Sequence, residues 1–232
     1  MKKTIILICL ALFTIQGFSQ SIDESTRKKF SIVFDVFNDF WVGVPDSIKN
    51  RFFNQGVNLS GLYDYRIGTS NFSVAFGAGI GAHNFYSNAA TYTDTATNNT
   101  YLRPIKNVYP GNSYKKNKIS FTYLDIPIEF RMRTKSEIRA SVGFKVGLMI
   151  DSHTKYKGDN YLSNTPLYLA KDDLKIKVKD VRNIERFRYG VTARFGWKFI
   201  NLTGFYSLTG LFKKGEGTEM YPISVGISLM PF

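Results

Sequence analysis

The feature of this sequence that most restricts its fold is a two-residue alternation of apolar and polar side chains. From Ile138 to Ile150 every second residue is apolar, and the residues between them are mostly small, polar or charged. The same alternation extends from Phe187 to Phe199, where most apolar positions hold aromatic rings. A period of two is typical of β-strands with two different faces, whereas an amphipathic helix repeats about every 3.6 residues. Both segments are therefore predicted to be long strands with one apolar face.

Weaker copies of the alternation bring the number of predicted strands to eight. They extend over roughly 10–17 residues, which is longer than the five or six residues usual in soluble sheets. A strand of about 9–11 residues is long enough to cross a bilayer at a tilt. The predicted strands are 27–37, 52–66, 71–84, 117–133, 138–151, 186–199, 202–213 and 220–232.

Short and long connections alternate between these strands. In an antiparallel sheet this alternation places every long connection at the same end. Transmembrane barrels have this arrangement, with short periplasmic turns and long extracellular loops. We therefore predict an all-β fold, an eight-stranded antiparallel up-and-down transmembrane β-barrel. The short connections are 68–70, 134–136 and 200–201, and the long ones are 38–51, 85–116, 152–183 and 214–219.

The amino terminus has the pattern of a secretory signal peptide. Lys2 and Lys3 precede the apolar run 5–15, which is too short for a spanning helix, and small residues stand before Gln20. We predict that residues 1–19 are a cleaved signal peptide and that residues 20–232 form one barrel domain in the outer membrane of a Gram-negative cell. Cleavage would remove Cys9, so the mature chain would contain no disulfide or thiolate.

Alternation alone does not say which face of a strand points outward. In a lipocalin-like barrel the apolar face lines a cavity and the charged face meets water, and the pattern then predicts a secreted soluble carrier of an apolar ligand. Three features favour the membrane arrangement instead. They are the long loops at one end, the length of the strands and the aromatic Phe232 at the end of the last strand.

Two short motifs are similar to those of a known family. Residues 123–130 read YLDIPIEF and residues 222–227 read PISVGI, in a chain whose signal peptide would end before Gln20. They resemble the PorT-like outer-membrane β-barrel family of Bacteroidota. The resemblance implies an eight-stranded outer-membrane barrel with a structural or interaction role. The namesake of the family takes part in protein secretion, so an envelope or secretion-system protein is a candidate partner.

In the membrane arrangement the polar face of each strand lines the lumen. The interior of an eight-stranded barrel is just wide enough to be filled by side chains, and an unpaired buried charge is costly. We expect a plugged lumen in which Asp125 and Glu129 pair with Arg139 or Lys145 of the next strand; a narrow ion path is the alternative. The charged residues expected to point inward are Asp35, Asp64, Arg66, Asp125, Glu129, Arg131, Arg139, Lys145, Asp151, Arg186, Arg188, Arg194 and Lys198.

Glycine and proline within the predicted strands have structural interpretations. Pro127 is expected to mark a β-bulge, because it cannot donate a ladder hydrogen bond. Gly77, Gly79 and Gly81 share one face of a strand and are expected to leave room for large lumen side chains. A phosphate-binding glycine loop would instead lie between a strand and a helix.

Catalytic motifs are scarce. The sequence has two histidines and contains neither H-E-x-x-H nor G-x-S-x-G. We predict no catalytic, cofactor-binding or metal-binding residues and no enzymatic activity. One arrangement is open to a different interpretation: His83, Asp151 and His153 are expected near the extracellular rim, where acid–base groups could serve a rim enzyme.

The formal net charge of +13 is concentrated partly in the connection 152–183. Leu174, Ile176 and Val178 alternate with lysines there, which predicts that strands extend beyond the membrane as a hairpin. Such charge could bind nucleic acid. Since an exported protein rarely meets nucleic acid, we expect contact with outer-membrane lipid and phosphorylated glycolipid instead. The polar segment 87–100 is expected to form a solvated loop tip. The basic residues are Lys155, Lys157, Lys171, Lys175, Lys177, Lys179 and Arg182.

Overall fold

The described residues form eleven strands and one helical turn. The computed structural model describes residues 29–108, 110–111, 113–160 and 174–230, so the predicted signal peptide, Lys171 and Phe232 lie outside the described residues. Within these ranges no helix is long and apolar enough to cross a membrane. The elements are β1 (Phe30–Val42), β2 (Gln55–Arg66), β3 (Phe72–Tyr86), β4 (Ala89–Thr93), β5 (Thr100–Pro104), α1 (Ile105–Val108), β6 (Tyr114–Arg133), β7 (Ile138–Gly158), β8 (Leu174–Lys179), β9 (Phe187–Trp197), β10 (Ile200–Ser207) and β11 (Tyr221–Leu229).

Eight of these strands close into a barrel. Going round the barrel, the order is β1, β2, β3, β6, β7, β9, β10 and β11, and every neighbouring pair is antiparallel. The pairing of β11 with β1 closes the sheet and leaves the barrel without an open edge. The predicted eight-stranded up-and-down barrel is confirmed.

The short and long connections separate to opposite ends of the barrel, as predicted. One short turn differs in position: Ile200 and Asn201 already pair with β9, so the β9–β10 turn consists of residues 198–199. Lys198 occupies the left-handed region with a φ of 52°, the type of conformation that tight hairpin turns use. With a turn of only two residues, β9 and β10 stay paired up to Trp197 and Ile200.

The apolar face of the strands points away from the lumen. On β6 Ile126 is 54% exposed while its neighbour Asp125 is buried, and on β9 Phe195 is 65% exposed while Arg194 is buried. An apolar band around the outside of a closed barrel is the surface that contacts lipid. The lipocalin-like alternative requires the opposite orientation and is therefore less supported than the membrane arrangement.

A β-bulge in β7 reverses which residues of that strand point inward. Thr122 of β6 pairs with Asp151, but Tyr123 pairs with Met149, so Ile150 is an extra residue of β7. Asp151 consequently shares the outer face with Thr122. The prediction that Asp151 points into the lumen is wrong, because one inserted residue inverts the alternation.

Pro127 does not mark this bulge, contrary to the sequence-based prediction. The register between β3 and β6 is the same before and after the proline, and the ladder skips only Gly77 and Ala78 of β3. On its other side Pro127 pairs in register with Lys145. The missing proline N–H therefore interrupts a single ladder without shifting it.

The described parts of the long loops are folded and contribute to a core of their own. Residues 87–100 contain β4 and the start of β5, in which Ala89 and Thr100 are buried, so the predicted solvated tip is limited to the exposed turn 95–98. β8 pairs with the end of β7, which confirms the predicted hairpin. Buried apolar side chains from several loops and strand ends pack together over the extracellular end of the lumen. This apolar cap includes Trp41, Ile48, Phe85, Ala89, Leu102, Ile119, Phe121, Tyr123, Ile184, Leu211, Phe212 and Met220.

Candidate functional site

The half of the lumen nearer the short turns contains a network of five charged side chains, here called the lower cluster: Asp35, Asp64, Glu129, Arg131 and Arg194. Arg194 Nη2 lies 3.0 Å from Asp35 Oδ2, and its Nη1 contacts Glu129. Arg131 Nε lies 2.9 Å from Glu129 Oε2, and its Nη1 lies 2.9 Å from Asp64 Oδ1. Each guanidinium thus bridges two carboxylates, and the cluster spans the lumen.

A second network, here called the upper cluster, lies between the lower cluster and the apolar cap. It consists of Asp39, His83, Asp125, Lys145 and Arg188. Arg188 Nη2 lies 2.8 Å from Asp125 Oδ2, and Lys145 Nζ lies 3.8 Å from the same oxygen. Arg188 also donates to His83 Nε2 at 2.8 Å, and His83 Nδ1 donates to Asp39 Oδ2 at 2.9 Å. Because Nε2 accepts a hydrogen bond from Arg188, the ring proton of His83 is on Nδ1.

The carboxylates of β6 have one of the partners that the sequence predicted and others that it did not. Lys145 is confirmed as a partner of Asp125, but Arg139 donates to the Met230 carbonyl oxygen at 3.1 Å instead. The closer partner of Asp125 is Arg188, from the second strand along. Three residues predicted to be inward-facing lie exposed at or beyond strand ends, where the lumen no longer encloses them: Arg66, Arg186 and Lys198.

Small residues make the contact between Asp125 and Arg188, which lie on strands separated by β7, possible. Asp125 pairs across the sheet with Gly147, which in turn pairs with Arg188, so a glycine stands between the two charges. A Cβ at Gly147 would lie 2.4 Å from Asp125 Oδ1 and 2.9 Å from Arg188 Nε. A Cβ at Gly81 would lie 3.0 Å from Asp125 Oδ2. The predicted role of Gly81 is confirmed, and Gly147 is a signal for the Arg188 contact that sequence reasoning missed.

The histidines do not form one site. His83 is buried in the lumen rather than at the rim, whereas His153 lies on the outer face of β7 with its Nδ1 2.7 Å from Asp151 Oδ2. The barrel wall separates them. Ser120 pairs directly across from His153, but its hydroxyl donates to Asn84 Oδ1 at 2.8 Å. Among the described residues, no group of three or more acidic, histidine or cysteine side chains is placed to hold a metal ion.

Lysines form two rows on the outer face of the barrel above the lipid-facing band. Each row crosses β6, β7 and β8, so three like charges stand side by side, and like charges directly opposite one another repel. Ile119 and Phe121 of β6 are buried under the apolar cap, and the lysines of opposite parity therefore lie on the outer face. This lysine surface consists of the rows Lys118–Lys155–Lys177 and Lys116–Lys157–Lys175.

Lys118 is a half-buried member of the lysine surface. Its Nζ donates to Asn84 Oδ1 at 2.5 Å and lies 5.5 Å from the centre of the Tyr86 ring. Burial, followed by the charges of Lys116, Lys155 and Lys177, lowers the pKa of Lys118 to about 8. Sequence reasoning assigned the basic surface to residues 152–183 alone and missed the two lysines of β6. Pairing across strands, which one sequence does not display, brings them together.

This chain is similar to a protein of solved structure and matches one family model. A chain of Ail, the attachment invasion locus protein of Yersinia pestis, solved in complex with the heparin analogue sucrose octasulfate, matches with 11% identity and a TM-score of 0.37. The match covers 87% of this chain and 97% of Ail. No curated protein matches. The family model for the outer membrane protein beta-barrel domain matches residues 13–213. The chain therefore belongs to the outer membrane protein beta-barrel domain family and is an outer-membrane β-barrel protein.

Proposed function

We propose that this protein is a non-enzymatic outer-membrane barrel with a sealed lumen, whose lysine surface binds phosphorylated glycolipid in the outer leaflet. The observation that carries the proposal is the pair of three-lysine rows on the outer face of β6, β7 and β8. Phosphate groups can accept charge-assisted hydrogen bonds from several adjacent lysines at once. Each lysine near an anionic membrane surface contributes about 1 kcal/mol to binding.

The position of the lysine surface suits a lipid headgroup better than a soluble polyanion. On β6 the outward apolar residues run from Leu124 to Met132, and Lys118 follows on the same face towards the extracellular end. From Leu124 to Lys118 is about 20 Å along the strand at 3.3–3.4 Å per residue, and less along the membrane normal because barrel strands tilt. Lysine side chains reach back towards the interface with their apolar stems against the wall. Nucleic acid has no comparable access to this zone.

Two finer parts of the proposal rest on the sequence patterns. The chain is exported by cleavage before Gln20, and it is a PorT-like barrel with a structural or interaction role in secretion or envelope assembly. The candidate partner is then another envelope or secretion-system protein that contacts the loops or the periplasmic turns. Amino-terminal sequencing of the mature protein tests the cleavage site, and cross-linking from the periplasmic turns tests the partner.

Removal of two lysines from one row is expected to weaken glycolipid binding. The double variant Lys155→Gln/Lys177→Gln removes two of the three charges in one row and should lower affinity roughly 10- to 30-fold, at about 1 kcal/mol per lysine. The measurement is the dissociation constant for a bisphosphorylated glycolipid in mixed detergent micelles, determined by native mass spectrometry.

A matched control comes from the opposite side of the barrel. Lys213→Gln/Lys214→Gln removes the same charge from the exposed β10–β11 loop and should leave the affinity within about twofold of wild type. Equal losses of affinity in both double variants would show that binding depends on net charge and not on the lysine surface. Equal affinity for the glycolipid after enzymatic removal of its phosphates would refute phosphate recognition.

Glycolipid affinity is also expected to fall as the pH rises from 7 to 9. A pKa of about 8 means that Lys118 loses its charge in this interval, whereas ordinary lysines keep theirs until about pH 10. Lys118→Arg keeps its charge throughout and should flatten the profile between these pH values. The measurement is the same dissociation constant at pH 7, 8 and 9. A wild-type profile as flat as that of the arginine variant would contradict this role of Lys118.

The lumen is expected to conduct no ions. The apolar cap closes the extracellular end, and the void among Asp35, His83 and Lys145 has a volume of about 10 Å³, near the minimum that one water molecule needs. We expect no conductance steps when the purified full-length barrel is inserted into a planar bilayer. Reproducible single-channel steps would exclude a sealed lumen and favour the narrow ion path.

A further inference from the structure

A cavity with a strongly cationic lining opens at the short-turn end of the barrel. This vestibule has a volume of about 590 Å³ and lies below the lower cluster, between the β2–β3 and β6–β7 turns. Six cationic side chains and two carboxylates line it, and both carboxylates are already engaged. Asp64 is held by Arg131, and Glu137 lies 3.4 Å from Arg133. Arg131 and Arg194 are also paired with Glu129 and Asp35 of the lower cluster, but the two carboxylates of the vestibule lining do not balance its remaining cations.

Four buried nitrogen atoms on residues of the vestibule lining have no hydrogen-bond partner among the described residues. They are Arg131 Nη2, Arg139 Nε, Arg194 Nε and Asn201 Nδ2. Arg131, Arg194 and Asn201 are more than nine-tenths buried. Buried donors are normally satisfied, so several unsatisfied donors around one cavity indicate a missing acceptor. All four are donors, which excludes a metal cation as the ligand.

We propose that the vestibule binds a small phosphate-bearing molecule through its phosphate group. A phosphate presents several acceptor oxygens that can meet guanidinium and amide donors converging from different strands. Arg131 and Asn201 lie on β6 and β10, on different sides of the opening. A volume of about 590 Å³ is typical of small-molecule sites.

This site is separate from the proposed glycolipid surface. The lysine surface lies on the outer face at the extracellular end, whereas the vestibule lies inside the barrel at the periplasmic end. Failure of one proposal therefore leaves the other standing. A phosphate site at this end would allow the barrel to respond to periplasmic solutes while its lumen stays closed.

The test is isothermal titration of the full-length barrel in detergent with inorganic phosphate, with glycerol phosphate and with acetate. We expect both phosphate compounds to bind in the millimolar range or tighter, and acetate to bind more weakly. Arg139→Gln removes an arginine that, among the described residues, donates to the Met230 carbonyl oxygen, and it should weaken phosphate binding about tenfold. Asn201→Asp replaces a donor by a carboxylate and should abolish binding. Arg103→Gln, on the extracellular side and stacked on Tyr92, is the control and should bind as wild type does.

The outcomes separate the sources of the phosphate and decide the proposal. Tighter binding of glycerol phosphate supports a phosphorylated small molecule, and equal binding supports free phosphate. Absence of binding to wild type, acetate binding as tight as phosphate, or equal losses in Arg139→Gln and Arg103→Gln would each overturn the site. If Arg139→Gln fails to fold, Arg139→Lys keeps the charge and loses Nε, and unchanged binding in that variant would also overturn it.

Discussion

Glu129→Gln should lower the free energy of unfolding by about 3 kcal/mol, because it leaves buried guanidinium charges short of a partner. Glu129 is 1% exposed and contacts both Arg131 and Arg194. Glutamine keeps the size of the side chain, so the change isolates the charge. Arg131 retains Asp64 and Arg194 retains Asp35, which places the effect at the lower end of the range for breaking a buried ion pair.

A second glutamate provides the matched control for this experiment. Glu137 lies 3.4 Å from Arg133 at the exposed β6–β7 turn, and such surface pairs contribute little to stability. Glu137→Gln should change the free energy of unfolding by less than about 0.5 kcal/mol. Both variants are to be unfolded with urea in lipid vesicles and followed by tryptophan fluorescence. Losses of similar size in the two variants would show that the lower cluster does not stabilise the barrel.

The sequence predicted the barrel well because the relevant forces act at short range. Alternation from Ile138 to Ile150 and from Phe187 to Phe199 reports directly on the two faces of a strand, since successive side chains point in opposite directions. The short turns follow from the same pattern. Strand number, order and the position of the long loops therefore needed no knowledge of distant contacts.

The charged network was predictable in kind but not in detail. Charged side chains buried in a narrow lumen must form ion pairs. Which partner Asp125 reaches, however, depends on the size of the residue that lies between them on the intervening strand. Gly147 allows Arg188 to reach across β7, and this effect involves three strands far apart in the sequence. The alternation of apolar and polar residues also gives no sign that Ile150 is an extra residue, and this insertion moves Asp151 to the outer face. The lysine rows and the vestibule were missed for the same reason.

Ile128→Arg should lower the free energy of unfolding in a lipid bilayer by about 2–4 kcal/mol, the cost of arginine near the midplane of a barrel's lipid face. Ile128 is the central outward residue of the apolar band on β6, between Leu124 and Met132, and it is 54% exposed. Lipid offers no hydrogen-bond partners to a guanidinium at this depth, and the side chain is too far from either interface to reach water easily.

Val178→Arg separates the effect of lipid from that of exposure. Val178 is 55% exposed, almost the same as Ile128, but it lies on β8 in the hairpin beyond the membrane. A barrel surrounded by water would tolerate both substitutions, because an exposed apolar side chain replaced by arginine costs little there. In a membrane barrel only Ile128→Arg should be destabilising, and Val178→Arg should stay within about 0.5 kcal/mol of wild type.

Thinner lipid bilayers should reduce the cost of Ile128→Arg by bringing water closer to the guanidinium. Equal and small effects of both variants in every lipid would contradict a lipid-facing position for this band.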